Sequence, residues 1–393
     1  MGHTLMMLSP WHTPQPLARA WCLWELHCTV SVGADFSICL GPDEQASLEG
    51  ALCENSSAVL DAFAHIDVAT AEAGNPDDQA MILQAVRATP GGTEDLNARA
   101  LAQMRKWVRE VVATMVAARR VGDGSLDPQH LSAVNNLAIV LDRMRRREAR
   151  PLLEEVMAAK TKKYGPGHAS TLKTKHNLAC VLKKMQEPAE ARKLLEEVVA
   201  GQAEHLGAAH ADTLGPKGDL AVLMKEMGEP AKARSLYEEV VAGFTQLHGP
   251  NHKSTLINKG NLAVLLEEVG EQDKARHLFE EVLAAETKLL GSGHTDTMMT
   301  KMNLAGLVAE MGDKLQARRL FEEVFAGQVQ QLGATHPNTL GTKGNLATML
   351  NDMGELAEAR RMSGEVVAGL TEQLGADHPM TQHFAEQHAS MAE

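Results

Sequence analysis

The sequence predicts a mainly α fold: an array of 42-residue helix-turn-helix units, preceded by a small partial α/β region. Three observations carry that prediction. His168, His210, His252, His294, His336 and His378 recur every 42 residues, each followed three positions later by Thr171, Thr213, Thr255, Thr297, Thr339 or Thr381. Six residues after the first five threonines stand Asn177, Asp219, Asn261, Asn303 and Asn345, each followed by Leu-Ala. Between these marks the apolar residues fall at helical spacing, as in Leu340, Leu346, Ala347, Leu350 and Met353. A fixed period of this length marks units that cannot bury their apolar faces alone and do so by stacking.

Taken in chain order, residues 1–95 do not repeat. "TLMMLSP" reads as a short buried strand, "LARAWCLWELHCTV" as a helix with Pro16 ahead of it, and "FSICLGP", after Gly33, as a second strand. That is α/β order. "DDQAMILQAVRA" reads as a further helix. Residues 96–121 carry a stripe of Leu101, Met104, Trp107, Val108, Val111, Val112, Met115 and Val116. This amphipathic helix is expected to cap the first unit, since an array needs its end covered. The array itself spans 125–393, as six helical pairs plus a terminal half-unit at Met380–Glu393. "NNLAIVL" (Asn135–Leu141) opens the series one unit early, with Asp127-Pro128 in place of the histidine.

Within each unit the first helix should stop at Gly228, Gly270, Gly312 or Gly354, because glycine takes left-handed dihedrals at little cost; Gln186 stands there in one copy. The second helix carries a small residue (Ala191, Ala233, Ala275, Ala317, Ala359) that permits close approach. Four residues on, a bulky one (Leu195, Tyr237, Phe279, Phe321) fills the seam on the same face.

The chain has 393 residues, too many for one ordinary core, and a net charge of −13. Nucleic acid and anionic membranes are poor partners for such a chain, because phosphate contacts need clustered Lys and Arg. Aromatics are 3%, with all four Trp before residue 110, so stacking platforms are scarce. Cys22, Cys28, Cys39, Cys53 and Cys180 form no CxxC and read as reduced thiols. No leader pattern opens the chain and no apolar run reaches ~18 residues, so a cytoplasmic location without a membrane span is expected.

At the array the residues resemble a known family. Leu-Ala in the first helix, Gly at the turn and Ala-x3-Phe/Tyr/Leu in the second are similar to the tetratricopeptide repeat (TPR) signature. The 42-residue period with "HPxTL…NLA" resembles the kinesin-light-chain type. The resemblance covers residues 125–393. It implies a right-handed superhelix whose concave groove binds a protein or peptide segment, as a scaffold or adaptor. Its alternative form is a motor cargo adaptor. It also implies that Asn136, Asn177, Asp219, Asn261, Asn303 and Asn345 lie on the concave wall. There their amides suit the alternating N–H and C=O groups of an extended peptide; equally, they could satisfy local backbone between helices.

Neighbouring wall positions read Lys173, Cys180, Lys183 and Lys184 in one unit, with Arg143 and Arg145–Arg147 before them. Later units read Lys225 and Glu226, then Glu267 and Glu268, Glu310 and Asp352. The wall therefore runs from basic to acidic. Lys173, Lys183 and Lys184 are expected to meet an acidic part of the ligand. The histidines are expected to cap helices, because successive copies stand too far apart to share one metal ion. The lysines Lys175, Lys217, Lys259, Lys301 and Lys343 are expected to lie along apolar neighbours with their ammonium groups near a glutamate of an adjacent helix. No metal and no cofactor are expected, and the sequence leaves the oligomeric state open.

"RAWCLWEL" resembles the "WCLxEL" segment of Toll/interleukin-1-receptor (TIR) domains, over residues 4–40. That resemblance implies a truncated TIR-like module in which Glu25 matches the glutamate of an NAD-cleaving pocket. The alternative is a solvated Glu25 beside core residues Trp21, Leu23 and Leu26. No GxSxG, HExxH or P-loop is present in a suitable place, so the chain is not expected to be an enzyme otherwise.

Overall fold

The computed structural model describes residues 3–12, 19–32, 34–54, 76–87, 92–144 and 146–391. Pro16, Gly33 and Arg145 lie outside the described residues, as do the side chains of Trp21, Leu23, Arg146 and Arg147. The chain forms two compact units, residues 1–202 and 203–393.

The first unit opens with β1 (His3–Met7), α1 (Ala20–Ser31) and β2 (Asp35–Cys39). The strands pair in parallel, with Leu5 opposite Ser37, so α1 is the crossover that parallel pairing requires. Three helices follow: α2 (Pro42–Glu54), α3 (Pro76–Arg87) and α4 (Gly92–Ala117). The sequence pattern missed α2. It buries only Leu48 and Leu52, too little to make a stripe. On α4 four residues of the expected stripe, Met104, Val108, Val112 and Met115, are at most 3% exposed, joined by Ala100, while Leu101, Trp107, Val111 and Val116 are half-buried. The helix packs on α1, α3 and β2 and also on α5 (Leu131–Met144). Helix α2 shares the task of covering α5. The unit continues with α6 (Arg146–Tyr164), α7 (Ala169–Lys184) and α8 (Pro188–Leu206).

The second unit is a run of hairpins: α9 (Ala211–Glu226) with α10 (Pro230–His248), α11 (Lys253–Glu268) with α12 (Gln272–Leu290), α13 (Thr295–Glu310) with α14 (Lys314–Leu332), and α15 (Pro337–Asp352) with α16 (Leu356–Leu374). A single helix, α17 (Pro379–Ser390), follows. Within this unit each second helix packs on the first helix of the next hairpin. With α5–α6 and α7–α8 this makes six hairpins and a half-unit among the described residues. The described residues thus form an array of helical hairpins with a small strand pair near its start.

The repeated letters have local reasons. Each histidine is an N-cap: the Nδ1 of His168, His210, His252, His294, His336 and His378 accepts the backbone N–H two residues on, at 3.1–3.2 Å. An extended capping residue with a side-chain acceptor satisfies one of the four orphan N–H groups that open a helix. Each threonine is buried behind its cap. Thr213 and Thr255 donate to the Gly207 and Gly249 carbonyls at 2.9 Å, tying a helix start to the end of the helix before it. The hairpin seam is closed by Ala233, Ala275 and Ala317, all fully buried, with Tyr237 and Phe279 at 1% exposure. A fully buried side chain of that size contributes roughly 1.5–3 kcal/mol.

A row of arginines ties successive hairpins together on the second helices. Arg150 reaches Glu187, Arg234 reaches Glu271 and Arg318 reaches Glu355, each at 2.6 Å, while the same guanidiniums hold Glu154, Glu238 and Glu322 one turn away.

Candidate functional site

The lysine row is internal. Lys175, Lys217, Lys259 and Lys301 are at most 8% exposed, and each ammonium meets a glutamate 22 residues later on the second helix of its own hairpin: Glu197, Glu239, Glu281 and Glu323, at 2.5–2.9 Å. Lys343 pairs with Glu365 in the same way. The aliphatic stems fill the seam and the heads leave it beside a half-exposed carboxylate. Such pairs contribute ~0–1 kcal/mol each, so they are clasps and leave no free charge for a ligand.

The asparagine row faces outward from the first helices, and its members differ. In the first unit, Asn136 Nδ2 donates to the Cys53 carbonyl at the end of α2, and Asn177 Nδ2 donates to Asn135 Oδ1 at 3.2 Å. Both amides are thus engaged within the unit. In the second unit Asn303 is exposed and Asp219, Asn261 and Asn345 are half-buried. Among the described residues the amides of Asn261, Asn303 and Asn345 have no protein partner.

Seven residues after each row member, two turns along and about 10 Å away on the same face, stands a charged residue. In the first unit these are Arg143 and Lys184; in the second they are Glu226, Glu268, Glu310 and Asp352. Lys184 is bound to Asp142 at 2.5 Å, so part of the expected basic wall is already neutralised. Lys173 is exposed and Lys183 half-buried. In the second unit Lys225 holds Glu268 at 2.7 Å. Beside it, burial raises the Glu267 carboxyl above its usual range, and the nearby Glu310 and Glu268 raise it further. Tyr237 beneath them is also raised, by burial first and then by Glu226, Asp219 and Glu268. Carboxylates crowded at helix C-termini oppose the helix dipole, and a bound cation relieves both effects.

Sequence reasoning missed a second row, on the inner side of the second helices near their ends. Lys160, Gln202, Glu286 and Gln328 stand in register, with Phe244 and Leu370 in the same place in other copies. Lys160 is buried and donates to Thr174 Oγ1 at 3.0 Å; burial, with Lys173 nearby, lowers its pKa to about 8. Glu286 is raised, mainly by burial. The only signal was a polar residue at one position of an otherwise apolar stripe, and Phe244 and Leu370 mask it.

At the start of the chain Glu25 is exposed on α1. The Cys22 thiol is pushed up by burial and by Glu25, which makes it a weak nucleophile. Among the described residues no helix is long and apolar enough to cross a membrane.

A family model for the tetratricopeptide repeat matches residues 129–204, 211–288 and 296–372. Among solved structures, a Podosopora anserina protein described as a kinesin light chain with nearly identical TPR-like repeats is 31% identical, covering 52% of this chain and 98% of its own, with a TM-score of 0.47. A signal transduction ATPase with a tetratricopeptide repeat sensor from Pyrococcus horikoshii is 12% identical. That match covers 89% of this chain and 49% of the ATPase, with a TM-score of 0.55, a likeness of fold. No curated protein matches the chain.

Proposed function

The chain belongs to the tetratricopeptide repeat family, and from that premise we propose that it is a non-covalent scaffold holding an extended segment of a partner protein along the first helices of its hairpins. One observation carries the proposal. Asn261, Asn303 and Asn345 present one unpartnered amide per hairpin, at the same helical position, in three successive hairpins. An amide offers two donors and an acceptor, which suits a backbone whose N–H and C=O groups alternate. The acidic residues two turns away add a preference for lysine or arginine side chains in the segment bound to the second unit. The basic wall of the first unit, Lys173, Lys183 and Lys184, is assigned the acidic part of the ligand, with Lys184 competing against Asp142.

The motor cargo adaptor is this same binding with a different attachment for the held segment. The NAD-cleaving alternative needs Glu25 in a water-excluded cleft, where a carboxylate stabilises developing positive charge strongly; an exposed Glu25 does not supply one.

The test begins with partners recovered from native cell extract and continues with fluorescence anisotropy on the mapped segment. Asn261→Ala together with Asn303→Ala removes two or more hydrogen bonds at ~0.5–1.5 kcal/mol each, so affinity should fall by roughly 5- to 150-fold while thermal unfolding is unchanged. Unchanged affinity would overturn the assignment.

A further inference from the structure

The second unit contains a cavity of about 500 Å3 where α13, α14, α15 and α17 meet. Its walls are mainly apolar, with Met298 and Met302 on one side and Met380 and Phe384 on the other. Gly341 lines it without a side chain and the Met380 methyl lies against its bare backbone; the two preceding hairpins carry Ile257 and Met299 at that position. The residues around it include no Asp, Glu, Lys or Arg. Two lining groups lack a partner: the half-buried amide of Asn345 and a buried one, Gln328. Gln328 is 8% exposed, and its Oε1 has no hydrogen-bond partner. A buried acceptor left unmet is costly; Gln202 and Glu286, in register with it, also carry an unmet oxygen, and at Gln328 the adjoining cavity gives a donor room to reach it.

We propose that this cavity binds a neutral, mostly aliphatic small molecule carrying one hydroxyl or amide N–H, which donates to Gln328 Oε1. The volume lies in the range of small-molecule sites and exceeds that of any single amino-acid side chain, which favours a free molecule over one anchoring residue of a bound peptide. Methionine walls adapt to an irregular aliphatic shape, because the thioether side chain is unbranched and polarisable. With no Asp, Glu, Lys or Arg in the lining and His383 its one titratable group, an ionised ligand would lose its hydration with little compensation. The site adjoins the face assigned to the peptide, since Asn345 lines both; it uses neither Asn261 and Asn303 nor the acidic residues.

The test uses the full chain with methyl-labelled methionine and three probes: decanol, its isomer methyl nonyl ether, which has no donor, and decanoate. Decanol should shift the Met298, Met302 and Met380 methyl signals saturably. The ether and decanoate should bind at least about tenfold more weakly. Gln328→Met should erase the preference for alcohol over ether while both still bind. Gly341→Leu should fill part of the cavity and abolish decanol binding. The new Cβ would meet only the mobile end of Met380, at 2.8 Å, and leucine favours the helix over glycine, so this variant should fold. Absence of saturable shifts at these methyls would overturn the proposal. So would decanol binding retained in Gly341→Leu, or equal affinity for alcohol and ether in the unmodified chain. Peptide shifting the same methyls where decanol does not would overturn the small-molecule assignment.

Discussion

Gln186 is the one non-glycine among the described residues with a positive φ, at 63°. It ends α7 at the place where Gly228, Gly270, Gly312 and Gly354 end their helices, with φ from 75° to 90°. The hydrogen bonds are the same in every copy. Gln186 N–H donates to the Lys183 carbonyl at 3.1 Å and Glu187 N–H to Leu182 at 3.0 Å; in another copy Gly312 donates to Ala309 at 3.0 Å and Asp313 to Val308 at 2.9 Å. The Gln186 side chain is exposed, so replacing it removes no packing. What changes is the backbone term alone. A left-handed conformation costs an L-residue roughly 1–2 kcal/mol, and glycine gives back ~0.5–1 kcal/mol through its freer unfolded chain. Gln186→Gly should therefore stabilise the first unit by about 0.5–1 kcal/mol, and Gly312→Gln should destabilise the second by a similar amount. Equilibrium urea unfolding, with hydrogen exchange on α7 and α13 to localise the effect, measures both. A lower midpoint for Gln186→Gly, or no loss in Gly312→Gln, would refute the reasoning that these turns share one backbone requirement.

Three further outcomes follow from the geometry. His294→Ala should cost about 1 kcal/mol in thermal or urea unfolding and His294→Asn should recover most of it, because asparagine also caps; equal losses would remove the capping role. Lys160 has a folded pKa of about 8 against 10.5 for the free side chain. Between those values the unfolded chain keeps a proton the folded chain has lost, so stability rises as pH increases through 8, by up to about 3 kcal/mol. Lys160→Met should therefore stabilise the chain at pH 7, and its advantage should shrink steadily toward pH 10; a pH-independent difference between the two proteins contradicts this. Glu281→Ala leaves the buried Lys259 ammonium unpaired and should destabilise more than Lys259→Met does, as read by denaturant midpoints; the reverse order would mean that the pair is not a clasp.

Most of the array was legible because each of its letters repeats for a local reason. A cap, a turn and a close-packed seam each need one residue type at one place, and six copies make the requirement visible. The lysine clasps were legible for the same reason, since Lys259 and Glu281 stand 22 residues apart in a pattern that recurs. The arginine ties were not read. Arg234 meets Glu271 across the step between hairpins, 37 residues on, a spacing that matches no single-helix rule. Helix α2 escaped because two leucines in thirteen residues leave no periodic signal. Its seat on α5, through the Cys53 carbonyl and Asn136, joins a non-repeating segment to a repeating one, and no internal comparison reveals such a contact. The cavity is lined by a glycine, Gly341, and by methionines that read as ordinary core. Sequence placed five asparagines and Asp219 on one row, but the structure alone separates the two asparagines with internal partners from the three whose amides are open.

The central claim is that the first-helix face of the second unit holds a partner segment. Photo-crosslinking tests it most directly. A benzophenone amino acid is placed at position 261 or 303 on that face, and at position 319, which is exposed on the second helix α14. The account predicts that one partner segment is captured from extract at 261 and 303 and not at 319. Capture of that segment at 319 alone would contradict it.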